Sequence, residues 1–337
     1  MEPGLLAARG DEFVWIEEFV NRIENSTLTK PGLDEAIALK EAHLPKRVYK
    51  YRRDGKYARA NLETDTVWMA SPDAYNDPYD CSFTVAEEHV VDTLKKSLVT
   101  EFANVYKLPA DVADEQIEKA MSSSEPLMCV AEYVQTNYGV NPEGNPLQAA
   151  EFISLRAPSM IENTVGVLRQ WRKLTKVCSF SAVNDSILMW GHYAQDHKGF
   201  CIEYDLEQLQ PEHAFRRKLY PVIYSPKLYD LTAYVQKLVG RNRQEFNPSL
   251  PLLGVLHKFD GWKYEQEWRV VSISKTVIDD HDWSVPTPSR VFLGSKMSSE
   301  NIKAVRKICE QRNIDVLQME LAEDRFQLLP RPIQPHG

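Results

Sequence analysis

The sequence predicts an α+β fold: a mixed, mainly antiparallel sheet core with a helical insertion, preceded by an N-terminal helical arm. Three observations predict it. Strand-like segments flank a long helical block instead of alternating with helices, which argues against a doubly wound parallel sheet. The strands are short, β-branched and aromatic, and are bounded by Asx, Gly and Pro turn residues. The chain has 337 residues, 43% hydrophobic and 26% charged, so it can bury a core without disulfide or metal staples.

Phe13, Ile16, Phe19, Val20 and Ile23 recur at helical spacing over 11–24, with Asp11 placed to cap the first turn. A second helix is expected over 33–44, and together these form the arm (1–44). A strand follows at 47–52 (RVYKYR), then a turn at Arg53-Asp54-Gly55 and a strand at 66–70. SPDAYNDPYD then reads as a loop. From about 86 to 170 four stretches have helical periodicity, separated by Pro109, Pro126, Pro142 and Pro146. Strand character returns at 176–182, 200–205, 221–224, 268–274 and 290–294. Ser299 is expected to cap a helix over 300–312, and a terminal strand or hairpin to fill 314–329. The expected plan is one α+β domain over 45–330 and a flexible tail over 331–337.

The five cysteines are scattered and unpaired in spacing, so neither a disulfide framework nor a CxxC zinc site is expected, and a reducing cytoplasm is the simplest setting. The N-terminus does not read as a secretory signal, and no run of about 18 apolar residues predicts a membrane span. A net charge of −8 argues against indiscriminate binding to nucleic acid or acidic membranes, though not against a local basic groove. The P-loop and GxSxG motifs are absent.

Three polar-aromatic segments stand out as candidate chemistry. The first, 46–59, interleaves Lys46, Arg47, Lys50, Arg52, Arg53, Lys56 and Arg59 with Tyr49, Tyr51 and Tyr57, a mixture that suits phosphates and stacked bases. On a strand Tyr49 and Tyr51 share one face, and Lys50 and Arg52 share the other. The segment runs on to Asn76-Asp77-Pro78-Tyr79-Asp80, a tight turn that either only shapes the chain or walls a site. The second segment, 179–205, crowds Trp190, His192, Tyr193 and His197 on an expected helix that Gly199 ends. His192 with Asp196, and Tyr193 with His197, are spaced to meet on one helix face. Its histidines lack HExxH spacing, so an aromatic pocket or a packed core is expected there, not zinc. In the third, 257–271, Glu265, Glu267 and Arg269 alternate with Trp268 and Val270. Either Glu and Arg pair on a surface, or a carboxylate is held to stabilise a developing positive charge.

YKYR (49–52), NDPYDC (76–81), CSFS (178–181), MWGHYAQDHKGFCIEYD (189–205) and KFDGWKYEQEWR (258–269) resemble the bacterial domain-of-unknown-function 2971 family over about 46–329. A more distant similarity, in motif order, is to ADP-ribosyltransferases, which do not bind NAD on a GxGxxG turn. That similarity implies NAD as a substrate, held by a site to which Tyr49, Lys50, Arg52, Asn76, Trp190, Tyr193, His197 and Arg269 contribute. In it Lys50 or Arg52 contacts the diphosphate or ribose, and Tyr193 stacks on nicotinamide. Glu267 or Glu265 binds the ribose and stabilises the cation formed as nicotinamide leaves, and His192 orients the acceptor. It implies a nucleic acid or protein acceptor and a toxin or phage-defence role, with no metal. Two other readings remain. One is a nucleic-acid-binding or nucleic-acid-processing protein that uses 46–59, 168–176 and FRRK (215–218). The other is a non-enzymatic module that binds a partner through its N-terminal helices.

Overall fold

Short β-branched and aromatic runs need partner strands, and at the centre of this sheet those partners come from distant parts of the chain. A computed structural model describes residues 4–27, 32–139, 143–169, 171–239, 247, 249–274 and 279–333. Helices α1 (Gly4–Glu24) and α2 (Leu33–Ala42) precede strand β1 (Arg47–Arg52). Helix α3 (Lys56–Thr64) and strands β2 (Thr66–Met69) and β3 (Phe83–Thr84) lead into the helical block: α4 (Glu87–Val105), α5 (Ala110–Met121), α6 (Pro126–Tyr138) and α7 (Pro146–Arg169). The block packs around its own buried cluster, which includes Phe102, Ile117, Val130 and Val134.

The chain then returns to the sheet. Helix α8 (Trp171–Leu174) is followed by β4 (Thr175–Ser181), α9 (Ile187–Tyr193), β5 (Phe200–Asp205), α10 (Ala214–Arg217), β6 (Leu219–Pro221) and β7 (Ile223–Ser225). Next come β8 (Tyr229–Asp230), α11 (Thr232–Val239), α12 (Leu250–Leu256), β9 (His257–Phe259) and β10 (Glu267–Ile273). The chain ends with β11 (His281–Ser284), β12 (Arg290–Leu293), α13 (Ser299–Gln311), β13 (Asp315–Leu321) and β14 (Leu328–Pro332).

Eight strands form the central sheet in the order β14-β13-β12-β5-β1-β4-β10-β6. All its pairs are antiparallel except β12 with β13. The fold is therefore α+β with a mixed, mainly antiparallel sheet, as the sequence predicts. One junction in that sheet is weak. β1 pairs with β5 along its whole length, Arg47 to Arg52, and β10 pairs with β4 from Glu267 to Ile273. Between β1 and β4 the register holds only at Tyr49 and Ser181. Farther along, β4 is bridged by Ala70 at Val177 instead. The sheet splits between these two strands.

The sheet has two unlike faces because side chains alternate along each strand. Val48, Phe180, Ile202, Tyr204, Trp268, Val270 and Val291 point into the main core. Trp15, Phe19 and Ile23 of α1 join that core, and Trp15 stacks on Trp268 with ring centroids 6.2 Å apart. The N-terminal helices thus cover the sheet instead of extending from it. The opposite face carries Tyr49, Ser181 and Glu267 in register.

Several local expectations need correction. Helix α1 begins at Gly4, so Asp11 lies inside it and is not its cap. The hydroxyl of Ser298, not Ser299, accepts from Asn301 N to cap α13. The run 221–224 breaks into β6 and β7, which pair with different strands. Helix α3 occupies a stretch whose charged residues hide its apolar stripe, Ala58 and Leu62.

Candidate functional site

A carboxylate buried beside apolar side chains needs cations or donors close by, because an unpaired buried charge is costly. The third segment meets that need in an unexpected way. Glu265 ends a 3-10 turn (Asp260–Glu265), and Gln266, with φ +43°, swings the chain into β10. Both glutamates therefore face the split in the sheet. Glu267 is 4% exposed and Arg269 is fully buried, so the surface-pair expectation fails.

Arg269 Nε donates to Glu267 Oε1 at 2.7 Å, and its Nη2 donates to Asp80 Oδ1 at 2.6 Å. Its Nη1 donates to the Val255 carbonyl at 2.7 Å. Lys258 Nζ bridges Glu265 Oε2 at 2.5 Å and Glu267 Oε2 at 2.7 Å, with Asp80 Oδ2 at 3.7 Å. The Tyr193 hydroxyl donates to Glu265 Oε1 at 2.6 Å. Ser181 Oγ donates to the Glu265 carbonyl, and Glu267 N donates to the Tyr224 hydroxyl. Three carboxylates thus face two cations, which leaves one excess negative charge.

The two glutamates have opposite electrostatics. Burial works to raise the Glu267 carboxyl, but Arg269 and Lys258 together hold it well below the usual carboxylate range. Burial pushes the Glu265 carboxyl up; Lys258 pulls it back, Glu267 pushes it further, and the net shift is upward. Burial alone would lower Lys258, but Glu267, Glu265 and Asp80 outweigh it and raise its pKa.

In front of these groups lies a cavity of about 270 Å³ in the split. Tyr49, Lys50, Tyr51, Arg52, Asn76, Tyr193, Glu265 and Glu267 all line it, so the three segments converge on one cleft. Lys50 Nζ donates to the Ser179 carbonyl at 2.7 Å, between the two points where β4 is held. Arg52 Nη2 donates to Asn61 Oδ1 at 2.9 Å. Among the described residues neither cation has a carboxylate partner. The cleft opens into an outer chamber of about 610 Å³, which shares Lys50, Arg52, Asn76 and Tyr193 and adds His192.

Helix α9 aims Tyr193 into the cleft because the loop before it is pinned. Tyr51 Oη donates to the Val183 carbonyl, Trp190 Nε1 donates to the Asn184 carbonyl, and Ser186 Oγ caps the helix. After Tyr193 the backbone turns left-handed at Gln195, Asp196 and His197. The expected pairs His192–Asp196 and Tyr193–His197 therefore do not share a helix face. Gly199 does not cap the helix but lies directly before β5, where a Cβ would run into the Arg52 carbonyl.

Three expected binding residues lie off the cleft. Trp190 is fully buried and packs against Tyr51, with ring centroids 5.4 Å apart. His197 stacks behind Trp190, with centroids 6.4 Å apart. Arg269 lies beneath Glu267 and donates to it. Membership of a motif does not reveal the direction of these side chains.

Lys258, Asp80 and Ser181 also belong to this cluster, although the sequence reading gives none of them a role of its own. A signal for Lys258 existed: two glutamates and one arginine on a buried segment leave a charge unmatched, and Lys258 is a nearby candidate to match it. None of FRRK lines the cleft or its outer chamber, and Arg216 is tied to Glu41 at 2.5 Å and to the Leu209 carbonyl. Of the other basic segment, residue 170 lies outside the described residues. Among the described residues no group of three or more His, Cys, Asp or Glu is placed to hold a metal ion, and no helix is long and apolar enough to cross a membrane.

Residues 189–270 match the model of a family described as "Protein of unknown function (DUF2971)". The match bears out the family resemblance over that segment, which runs from α9 to β10 and contains Tyr193, Lys258, Glu265, Glu267 and Arg269. No curated protein and no solved structure matches the chain.

Proposed function

We propose that the chain transfers ADP-ribose from NAD to a macromolecular acceptor. The observation that carries this reading is the polarity of the cleft. One wall is a buried carboxylate cluster with one excess negative charge, and the other carries Lys50 and Arg52 without carboxylate partners. A dinucleotide has matching polarity: an anionic diphosphate, and a ribose carbon that becomes cationic as its bond to nicotinamide breaks.

In this reading Lys50 and Arg52 hold the diphosphate, and Arg52 gives the directional donors that phosphate oxygens favour. Glu265 meets the ribose. Both its oxygens are oriented, one by Tyr193 and one by Lys258, so its charge is fixed before reaction. The glycosidic bond breaks with its electron pair left on the pyridine nitrogen, which loses its positive charge. The carboxylate stabilises the cation at the ribosyl carbon, as glycosidase carboxylates do. A lone pair of the acceptor closes the new bond, and the acceptor proton leaves. Glu267, with both its oxygens held by Arg269 and Lys258, anchors Lys258 and does not touch substrate. That is a change of emphasis from the sequence, which placed Glu267 first. His192 stands at the outer chamber, on the side from which an acceptor enters.

The test is nicotinamide release from NAD, measured by chromatography with and without cell extract as the source of acceptor. Release by the wild type and its loss in Glu265→Gln are expected. Absence of NAD binding by calorimetry together with absence of release, or full release by Glu265→Gln, overturns the reading.

A further inference from the structure

The outer chamber holds more positive charge than a dinucleotide uses. Besides Lys50 and Arg52 it is lined by Arg53 and Lys56, both exposed. Its one acidic residue, Asp54, is already spent: Arg59 donates to both of its oxygens, at 2.8 Å and 2.6 Å. Among the described residues Arg53 and Lys56 have no carboxylate partner. In a chain of net charge −8, this is a concentrated basic surface at the mouth of the cleft.

The chamber also carries a solvent-exposed aromatic ring. Tyr57 is 73% exposed, with Lys56 Nζ 4.7 Å from its ring centroid. On the inner cleft, Trp68 is 48% exposed. Exposed rings beside unpaired cations suit a strand whose phosphates meet the cations and whose unpaired bases stack. A duplex keeps its bases stacked inside and offers these rings nothing. A basic side chain of a protein acceptor would be repelled by four cations.

We infer that the outer chamber, through Arg53, Lys56 and Tyr57, binds single-stranded nucleic acid, and that this is the acceptor presented to the cleft. The inference rests on the proposed transferase reading for the word acceptor, but the binding itself stands apart from it. The strand enters past Tyr57, with a base on that ring and adjacent phosphates on Arg53 and Lys56. The next nucleotide then reaches His192 and Tyr193, where the chamber joins the cleft.

The test is fluorescence polarisation of the full chain with labelled single-stranded RNA and DNA of about 12 nucleotides, their duplexes, and an acidic peptide as control. Binding of a single strand that weakens steeply with salt is expected. Arg53→Glu combined with Lys56→Glu should weaken it at least about tenfold and flatten the salt slope. Tyr57→Ala should weaken it at least about fivefold with little change in slope. These side chains are exposed, so an unchanged Tm is expected to show that the variants fold. Equal binding of duplex, equal binding of the peptide, no single-strand binding at low salt, or full binding by the charge-reversed variant each overturns the inference. Glu265→Gln separates the two proposals, because it should bind oligonucleotide like the wild type while releasing no nicotinamide. Oligonucleotide binding without any NAD chemistry removes the transferase reading and leaves the strand-binding site intact.

Discussion

The two walls of the cleft are built by opposite means. On the carboxylate wall Asp80, Lys258, Glu265, Glu267 and Arg269 are all buried, and each is held by at least one charged partner. On the cationic wall Lys50 and Arg52 are half-buried, Arg53 and Lys56 are exposed, and the hydrogen bonds of Lys50 and Arg52 go to neutral oxygens. A wall locked by mutual pairing can hold charge in place before a substrate arrives. A wall of lightly held cations keeps its strongest interactions for the ligand. The difference teaches where each kind of mutation should act: folding and chemistry on one side, binding on the other.

The largest expected effect tests that division directly. Arg269→Met leaves Glu267 and Asp80 buried with one cation fewer, and should lower stability by about 3–5 kcal/mol, as loss of one partner of a buried pair does. Arg53→Ala on the other wall should change stability by no more than about 0.5 kcal/mol. Urea unfolding measures both, and comparable losses at the two positions would break the comparison. Next in size is Glu265→Gln. It should cut nicotinamide release by about 10²–10³-fold, the scale of losing one preorganised electrostatic group. Its Tm should change far less than that of Arg269→Met, because Glu265 is destabilised as an anion by burial and by Glu267.

Much of the fold was legible because strand pattern is local. RVYKYR and FCIEYD mark β1 and β5 to the residue, and the helical block shows in its periodicity. The candidate cleft was legible as three segments, because charged and aromatic residues interleaved on short strands are unusual wherever they fall. What escaped was direction and partnership. Trp190 and His197 belong to the motif that also holds Tyr193, yet Trp190 is buried against Tyr51 and three consecutive left-handed residues turn the chain away before His197 packs behind it. Lys258 escaped because it enters from β9, a three-residue strand without a periodic signature, and its partners are fixed by the 3-10 turn that follows. The split between β1 and β4 depends on Ala70 taking over at Val177, a pairing that local propensity does not encode.

A smaller effect sharpens the cationic side. Arg52→Gln keeps a polar side chain beside Asn61 but removes the charge. If this wall acts on the bound diphosphate, the variant should raise the KM for NAD by about tenfold with kcat nearly unchanged, the pattern of lost uniform binding. A fall in kcat with KM unchanged would place Arg52 in the chemistry and erase the contrast between the walls.

The smallest expected effect is a shift of pH profile at Tyr193. The acid limb of kcat/KM reports the pKa of an essential carboxylate in the free protein. For Glu265 that limb should lie above the ordinary glutamate value of about 4.3, because burial raises the carboxyl and Glu267 adds to the rise. The Tyr193 hydroxyl, 2.6 Å from Oε1, favours the ionised form and holds the shift back. Tyr193→Phe should therefore move the limb to still higher pH, while the plateau rate falls by no more than about tenfold. Stability should follow the same chemistry with opposite signs at the two glutamates. Glu265, raised in the folded state, contributes fully below the unfolded carboxylate range and loses that contribution as pH rises through its folded value. Glu267, depressed in the folded state, contributes above the unfolded range and loses that contribution as pH falls through its folded value. A limb that stays put in Tyr193→Phe but disappears in Glu265→Gln would keep Glu265 as the titrating group and assign its positioning to Lys258 alone. A limb that persists in Glu265→Gln would show that another group titrates, and the carboxylate wall would then hold structure instead of substrate.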